Sequence, residues 1–154
     1  MPGGSFTKEV DLPIEAIWNF VSDMNNWAPL VPGYLDHQVL NDRQSTWKFK
    51  GDVGKIQKTV SMRIDITEWK KPTTVRFTLT GISEKVSGKG SFEAKSITDY
   101  QTKMTGNLDM TAKGLMGPVI NPVLKTVIPK TAKRLTEAVV YKIIENQRVI
   151  ARGY

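Results

Sequence analysis

Polar and apolar residues alternate with period two through most of the middle of the chain, and recur at helical spacing before and after it. At the start, Gly4–Val10 alternates through Phe6-Thr7-Lys8-Glu9-Val10 and predicts a strand. Asp11-Leu12-Pro13 then stops it. Asp11 suits a helix N-cap, Pro13 suits a first helical turn, and Ile14, Ile17, Trp18 and Val21 fall on one face, predicting a helix from Pro13 to Ser22. Asn25–Pro29 predicts a second helical turn, ended by Val31-Pro32-Gly33.

The period-two region predicts strands at Tyr34–Leu40, Thr46–Lys50, Lys55–Trp69, Thr74–Gly81, Lys85–Ile97 and Tyr100–Ala112. Turn chemistry separates them: Asn41-Asp42, Gly51-Asp52, Lys71-Pro72, Ser83-Glu84 and Thr98-Asp99. Links this short force antiparallel neighbours, because a parallel crossover needs a dozen or more residues. Alternation assigns the faces. Trp47 and Phe49 share a side; Ile56, Val60, Met62, Ile64 and Ile66 share another run; Val75, Phe77 and Leu79 a third; Tyr100, Met104, Leu108 and Met110 a fourth. Lysines, arginines, threonines and glutamines take the opposite side, so the sheet has one apolar and one wet, basic face. The cover for the apolar face follows at the C-terminus. Met116, Val119, Ile120, Val123, Leu124 and Val127 form one helical stripe, continued after Pro129 by Ala132, Leu135, Val139 and Ile143. The prolines predict a loose helix near 116–128 and a firm one near 130–148. The expectation is an α+β domain in which about seven curved antiparallel strands wrap a long C-terminal helix, with two short helices after the first strand.

At 154 residues the chain fits a single domain, 1–154, able to bury about 70% of its unfolded surface without staples. It contains no cysteine and one histidine, His37, which removes thiol chemistry and leaves zinc with carboxylates alone beyond that one imidazole. No cofactor, metal or catalytic residue is expected. The opening residues form no secretory signal and no apolar run approaches a membrane span, which predicts a soluble cytoplasmic chain. The net charge of +7 suits an anionic partner. Nucleic acid is not expected, because the lysines at 48, 50, 55, 58, 85, 89 and 103 lie opposite the aromatics rather than among them. Peripheral contact with an anionic membrane fits the charge better; the oligomeric state is left open.

The order of elements resembles the helix-grip fold of the START-like, or SRPBCC, superfamily, which includes the birch-pollen allergen family and the polyketide aromatase/cyclases. Asp11-Leu12-Pro13-Ile14-Glu15-Ala16-Ile17-Trp18 is similar to the superfamily's entry into its first helix. Val31-Pro32-Gly33, Gly51-Asp52-Val53-Gly54-Lys55 and Gly88-Lys89-Gly90-Ser91-Phe92 resemble turns and a glycine-bearing strand of the CoxG-like branch, named for a protein of the carbon monoxide dehydrogenase system. The resemblance implies an internal cavity that binds or carries a hydrophobic small molecule such as a quinone, a lipid or a polyketide-like aromatic. It also leaves open a cyclase, dehydratase or hydrolase using that cavity, or an assembly or stress-response domain.

The residues expected to line the cavity are Trp27, Tyr34, His37, Trp47, Phe49, Met62, Ile64, Phe77, Leu79, Phe92, Met104, Leu108, Met116 and Ile120. Each has a plainer alternative. Gly88, Gly90 and Gly106 share the inward side with Phe92 and Leu108, where they either thin a cavity wall or relieve strand curvature. The methionines are either a plastic lining or core filler. Trp27 is a portal or a lid packed on a helix end, and Trp47 and Phe49 are lining or core. His37 reads as structural or, with Asp36, Tyr34, Arg63 or Tyr100, as an acid or base.

Overall fold

The computed structural model describes residues 3–53, 56–82 and 85–151. The elements run β1 (Gly3–Val10), α1 (Ile14–Val21), α2 (Met24–Trp27), then a 3-10 turn at Ala28–Leu30. Six strands follow: β2 (Tyr34–Val39), β3 (Gln44–Val53), β4 (Ile56–Lys70), β5 (Thr74–Gly81), β6 (Val86–Thr98) and β7 (Gln101–Ala112). A 3-10 turn at Gly114–Met116 leads into α3 (Gly117–Ala151). One seven-stranded antiparallel sheet results, in the order β1-β7-β6-β5-β4-β3-β2. The meander is β2 to β7, and β1 closes it by pairing with β7, Phe6 opposite Gly106 and Val10 opposite Thr102. Bulges between Tyr34 and Asp36, Ile66 and Glu68, and Ser96 and Thr98 bend the long strands and give the sheet its concave face. The turn expected at Gly51-Asp52 is corrected: both residues lie inside β3, paired with Lys58 and Gln57, because the two strands run on together past Lys50; residues 54–55 and the expected turn at 83–84 lie outside the described residues.

Alternation places Trp47, Met62, Ile64, Ile66, Val75, Phe77, Leu79, Phe92 and Met104 in the buried concave layer. Tyr100 departs from this pattern. It sits in the β6–β7 turn, 77% exposed, because the tight turn ends period-two geometry one residue before the strand begins. The side chain of Ile56 lies outside the described residues.

Two helix expectations are corrected. Asp11 does not cap α1: Pro13 occupies the N-cap without a side-chain bond, and Asp11 Oδ1 instead accepts from Gln101 Nε2 at 3.0 Å. The C-terminal helix is one element of 35 residues, with Pro122 and Pro129 inside it. An internal proline costs a helix about 3 kcal/mol. Here packing on both sides of Pro129 offsets that cost, since Ile128 and Ala132 are each 3% exposed. Gly4 makes room for the proline: a Cβ at Gly4 would lie 2.5 Å from Pro129 Cα. The start of α3 is pinned to the end of β7 by Asn121, whose amide accepts from Ala112 N at 2.8 Å and donates to Ala112 O at 3.0 Å.

Candidate functional site

The interior between sheet and helix has two ends with different packing. At the α1–α2 end, Trp27 is fully buried. Its ring meets those of Trp47, Phe77 and Phe92 at centroid separations of 5.3, 5.3 and 5.1 Å, and its Nε1 donates to Val21 O at 3.0 Å. Edge-on and tilted contacts at this spacing favour aromatic pairs beyond the area they bury. Trp27 is therefore the centre of a core rather than a portal. Trp47 Nε1 donates to Ser45 Oγ at 2.7 Å, and that hydroxyl turns to Met24 Sδ at 3.4 Å, so the buried polar atoms are satisfied. Met62, Ile64 and Met104 are fully buried around this cluster, with Leu79 beside them.

The inward glycines are sites of close approach. A Cβ at Gly90 would lie 2.4 Å from Phe77 Cζ, one at Gly106 2.0 Å from Thr136 Oγ1, and one at Gly88 2.1 Å from the Asp109 carbonyl oxygen. Phe77 and the α3 residue Thr136 occupy the space two of the glycines leave. Beneath Ala132, Leu135 and Thr136 there remains a void of about 10 Å³, which is the room of about one water molecule.

The other end is looser. Phe49, Val60, Leu108 and Met110 on the concave face are only partly buried, as is Ile120 on α3. Helix geometry shows where that part of α3 looks. Pro129 lies over Gly4 and Lys133 Nζ lies 5.8 Å above the Phe6 ring, so this flank faces β1; Thr136 faces β7 at Gly106. Moving round the helix past the buried Leu124 and Ile128 reaches Met116, Ile120, Val123 and Val127, spaced four, three and four residues apart. Met116 is 52% exposed, and the other three are partly buried. Ile120 packs with Leu108 and Met110 against Ala112, Leu124 and Ile128, while Phe49 and Val60 lie partly buried against the main core.

Tyr34 and His37 lie on the edge strand β2, where Tyr34 pairs with Phe49 and is partly buried against the main core. The register sets His37 opposite Trp47. Asn25 Oδ1 accepts from His37 Nε2 at 2.7 Å, which leaves Nδ1 to accept from the Tyr34 hydroxyl at 2.6 Å. This relay ties β2 to α2. Arg63 is on the outer face, bonded to Asp65 at 2.9 Å, and Asp36 and Tyr100 are exposed. Of the polar partners expected for His37, only Tyr34 is brought to it.

A feature missed in the sequence is an open recess of about 320 Å³ outside the grip, lined by Trp18, Ser22, Asp23, Met24, Val39, Asn41, Asp42 and Trp69. Trp18 and Trp69 meet edge to face at 6.4 Å, and Trp69 Nε1 donates to Asp42 O at 3.1 Å. Its residues are far apart in sequence, and a tryptophan in α1 with another late in β4 is the one signal that points to it.

A family model whose description names no activity matches residues 4–149. No curated protein matches the chain. Among solved structures, a conserved protein from Geobacillus kaustophilus is similar at 14% identity with a TM-score of 0.78, covering 93% of this chain and 95% of that one. The Zhui aromatase/cyclase from Streptomyces sp. R1128 is 16% identical with a TM-score of 0.73, covering 98% and 97%. A START superfamily protein from Mycobacterium smegmatis is 19% identical with a TM-score of 0.73, covering 93% and 97%. At these identities the likeness is one of fold.

Proposed function

We propose that this chain, whose fold is that of START superfamily and aromatase/cyclase structures, is a START-like, or SRPBCC, domain that binds or carries a hydrophobic small molecule between sheet and C-terminal helix. The class is that of a quinone, a lipid or a polyketide-like aromatic. One observation supports this reading above others: apolar side chains of both elements, Phe49, Val60 and Met110 on the sheet and Ile120, Val123 and Val127 on α3, stay partly open to solvent. A folded chain that leaves such side chains partly open retains hydrophobic free energy for a ligand to release, about 25 cal/mol per Å² removed from water. The site so proposed lies toward the start of α3. The Trp27 cluster forms its closed floor, and Trp47, Met62, Ile64, Phe77, Leu79, Phe92 and Met104 shape it from behind.

An enzyme in the same interior is the less favoured reading. His37 is engaged by Tyr34 and Asn25, and Arg63 lies on the outer face, so neither offers a polar group to that interior. Titration with an apolar fluorescent probe tests the binding reading. The wild-type chain takes up the probe, and Ile120→Asp, checked for folding by circular dichroism, weakens uptake by on the order of tenfold. Equal uptake by a folded Ile120→Asp chain sinks the proposed location. A wild-type chain indifferent to apolar probes sinks the function.

A further inference from the structure

The end of the sheet near the start of α3 also carries largely exposed apolar side chains. Leu115 is 97% exposed, Val119 56% and Ile82 60%, with Met116 at the boundary of the groove. Backbone geometry brings them to one end of the sheet. Lys113 N donates to Lys85 O at 2.7 Å, continuing the β6–β7 ladder past its last strand pair, and the β5–β6 register brings Ile82 to the same end. Gly114, at φ 79°, then turns the chain and lifts Leu115 outward. The Lys85 side chain lies against that glycine, 3.2 Å from where a Cβ would stand.

The sequence about this apolar tip is mostly basic, with Glu84 beside Lys85 the carboxylate of the adjoining turn. Between Met110 and Thr136 the chain has no carboxylate and five cations, Lys113, Lys125, Lys130, Lys133 and Arg134. Lys113 and Lys125 are exposed, and so is Lys85 across the ladder from Lys113. A solvated basic face needs no leucine held out at its apex, and a nucleic-acid surface would want aromatics or polar groups there. Apolar side chains flanked by lysines fit a surface that is anionic outside and hydrocarbon beneath.

We infer that the β7–α3 turn, with Leu115 at its apex and Lys85, Lys113 and Lys125 around it, docks on an anionic lipid bilayer. Leu115, Val119 and Ile82 enter the interfacial zone, and the lysines pair with lipid phosphates and carboxylates. The inference rests on the proposed groove for its purpose, a ligand passing between bilayer and protein at this end, but not for its measurement. No helix among the described residues is long and apolar enough to cross a membrane, so the contact is peripheral.

The test is co-sedimentation of the full chain, without ligand, with phosphatidylcholine vesicles and with vesicles holding about a third phosphatidylserine. The wild-type chain sediments with the anionic vesicles, and salt releases it. The Leu115→Ser/Val119→Ser variant, altered at exposed positions outside the groove, loses on the order of tenfold in vesicle affinity while taking up the apolar probe in solution as before. Failure of the wild-type chain to bind anionic vesicles overturns the inference, as does a variant that binds them as well as wild type. Self-association abolished by the same variant, with no vesicle binding, also overturns it and makes the tip an interface between copies. Probe uptake without vesicle binding leaves the groove standing alone; vesicle binding without probe uptake removes the groove and keeps the docking surface.

Discussion

Replacing Gly106 by alanine probes the closest approach of α3 to the sheet. The new Cβ would lie 2.0 Å from Thr136 Oγ1, 3.4 Å from its Cβ and 3.7 Å from its Cγ2. The first of these distances is far inside van der Waals contact, and the other two leave little slack for retreat. Thr136 is 1% exposed, so relief requires either turning its side chain to the other χ1 well against close-packed neighbours or lifting the helix from β7. Overpacking of this kind costs about 1–3 kcal/mol. Alanine also narrows the unfolded ensemble, which returns about 0.4–1 kcal/mol. The expected net loss is about 1–2 kcal/mol, a fall of roughly 0.5–1 M in the urea midpoint for a slope near 2 kcal/mol/M. Thr136→Ala supplies the control. The Thr136 hydroxyl has no hydrogen-bond partner among the described residues, so its removal sacrifices little beyond about 1 kcal/mol of methyl packing. In that background Gly106→Ala becomes nearly neutral, a coupling of about 1–2 kcal/mol in the double-mutant cycle. Tryptophan fluorescence in urea reads all four chains. A neutral Gly106→Ala in the wild-type background, or an equal cost in both backgrounds, refutes the account of how α3 seats on the sheet.

Three other outcomes follow from the same packing. Trp27→Ala removes the ring shared by Trp47, Phe77 and Phe92 and the partner of the Val21 carbonyl; it costs about 3–5 kcal/mol by chemical denaturation, whereas Leu115→Ala, at a 97% exposed site, stays within about 0.5 kcal/mol. Asn121→Ala strips both side-chain partners from the Ala112 backbone and costs about 1–3 kcal/mol, with faster amide exchange confined to the first turns of α3. The hydrogen bond from Gln44 and the neighbouring Arg63 hold the Asp65 carboxyl below its usual value, against an opposing effect of burial. A depressed carboxyl stabilises the fold above its unfolded value of about 3.9 and loses that contribution as pH falls through the folded value. The gap in thermal midpoint between wild type and Asp65→Asn is therefore small and constant near neutrality and closes below about pH 4.

The strands and their faces were legible because burial on one side enforces period two, and Thr74–Gly81 matches β5 residue for residue. Burial of the Met62, Ile64 and Met104 row follows from the same rule. Proline reasoning is local and failed at α3, where contacts with β1 and β7 override the breaks at Pro122 and Pro129. The glycines were ambiguous because a sequence does not say what lies opposite an absent side chain; here it is Phe77 and Thr136. Asp11 has the right chemistry for a cap, but the chain turns too late for it to act as one. Sequence pattern alone makes the site one continuous lining. What separates the fully buried cluster at Trp27 from the partly buried side chains at Ile120 is the long-range seating of helix on sheet, which no local pattern encodes.

The methionines offer the most direct test of where the ligand sits. Met110 lies partly buried at the proposed site and Met116 is 52% exposed at its edge, while Met24, Met62 and Met104 are at most 3% exposed in the closed core. With carbon-13-labelled methionine methyl groups, titration with a medium-chain fatty acid is predicted to shift the Met110 and Met116 resonances and leave those of Met24, Met62 and Met104 in place. Shifts confined to the three core methionines, or no shift in any of the five, would contradict a ligand site between the start of α3 and the concave sheet.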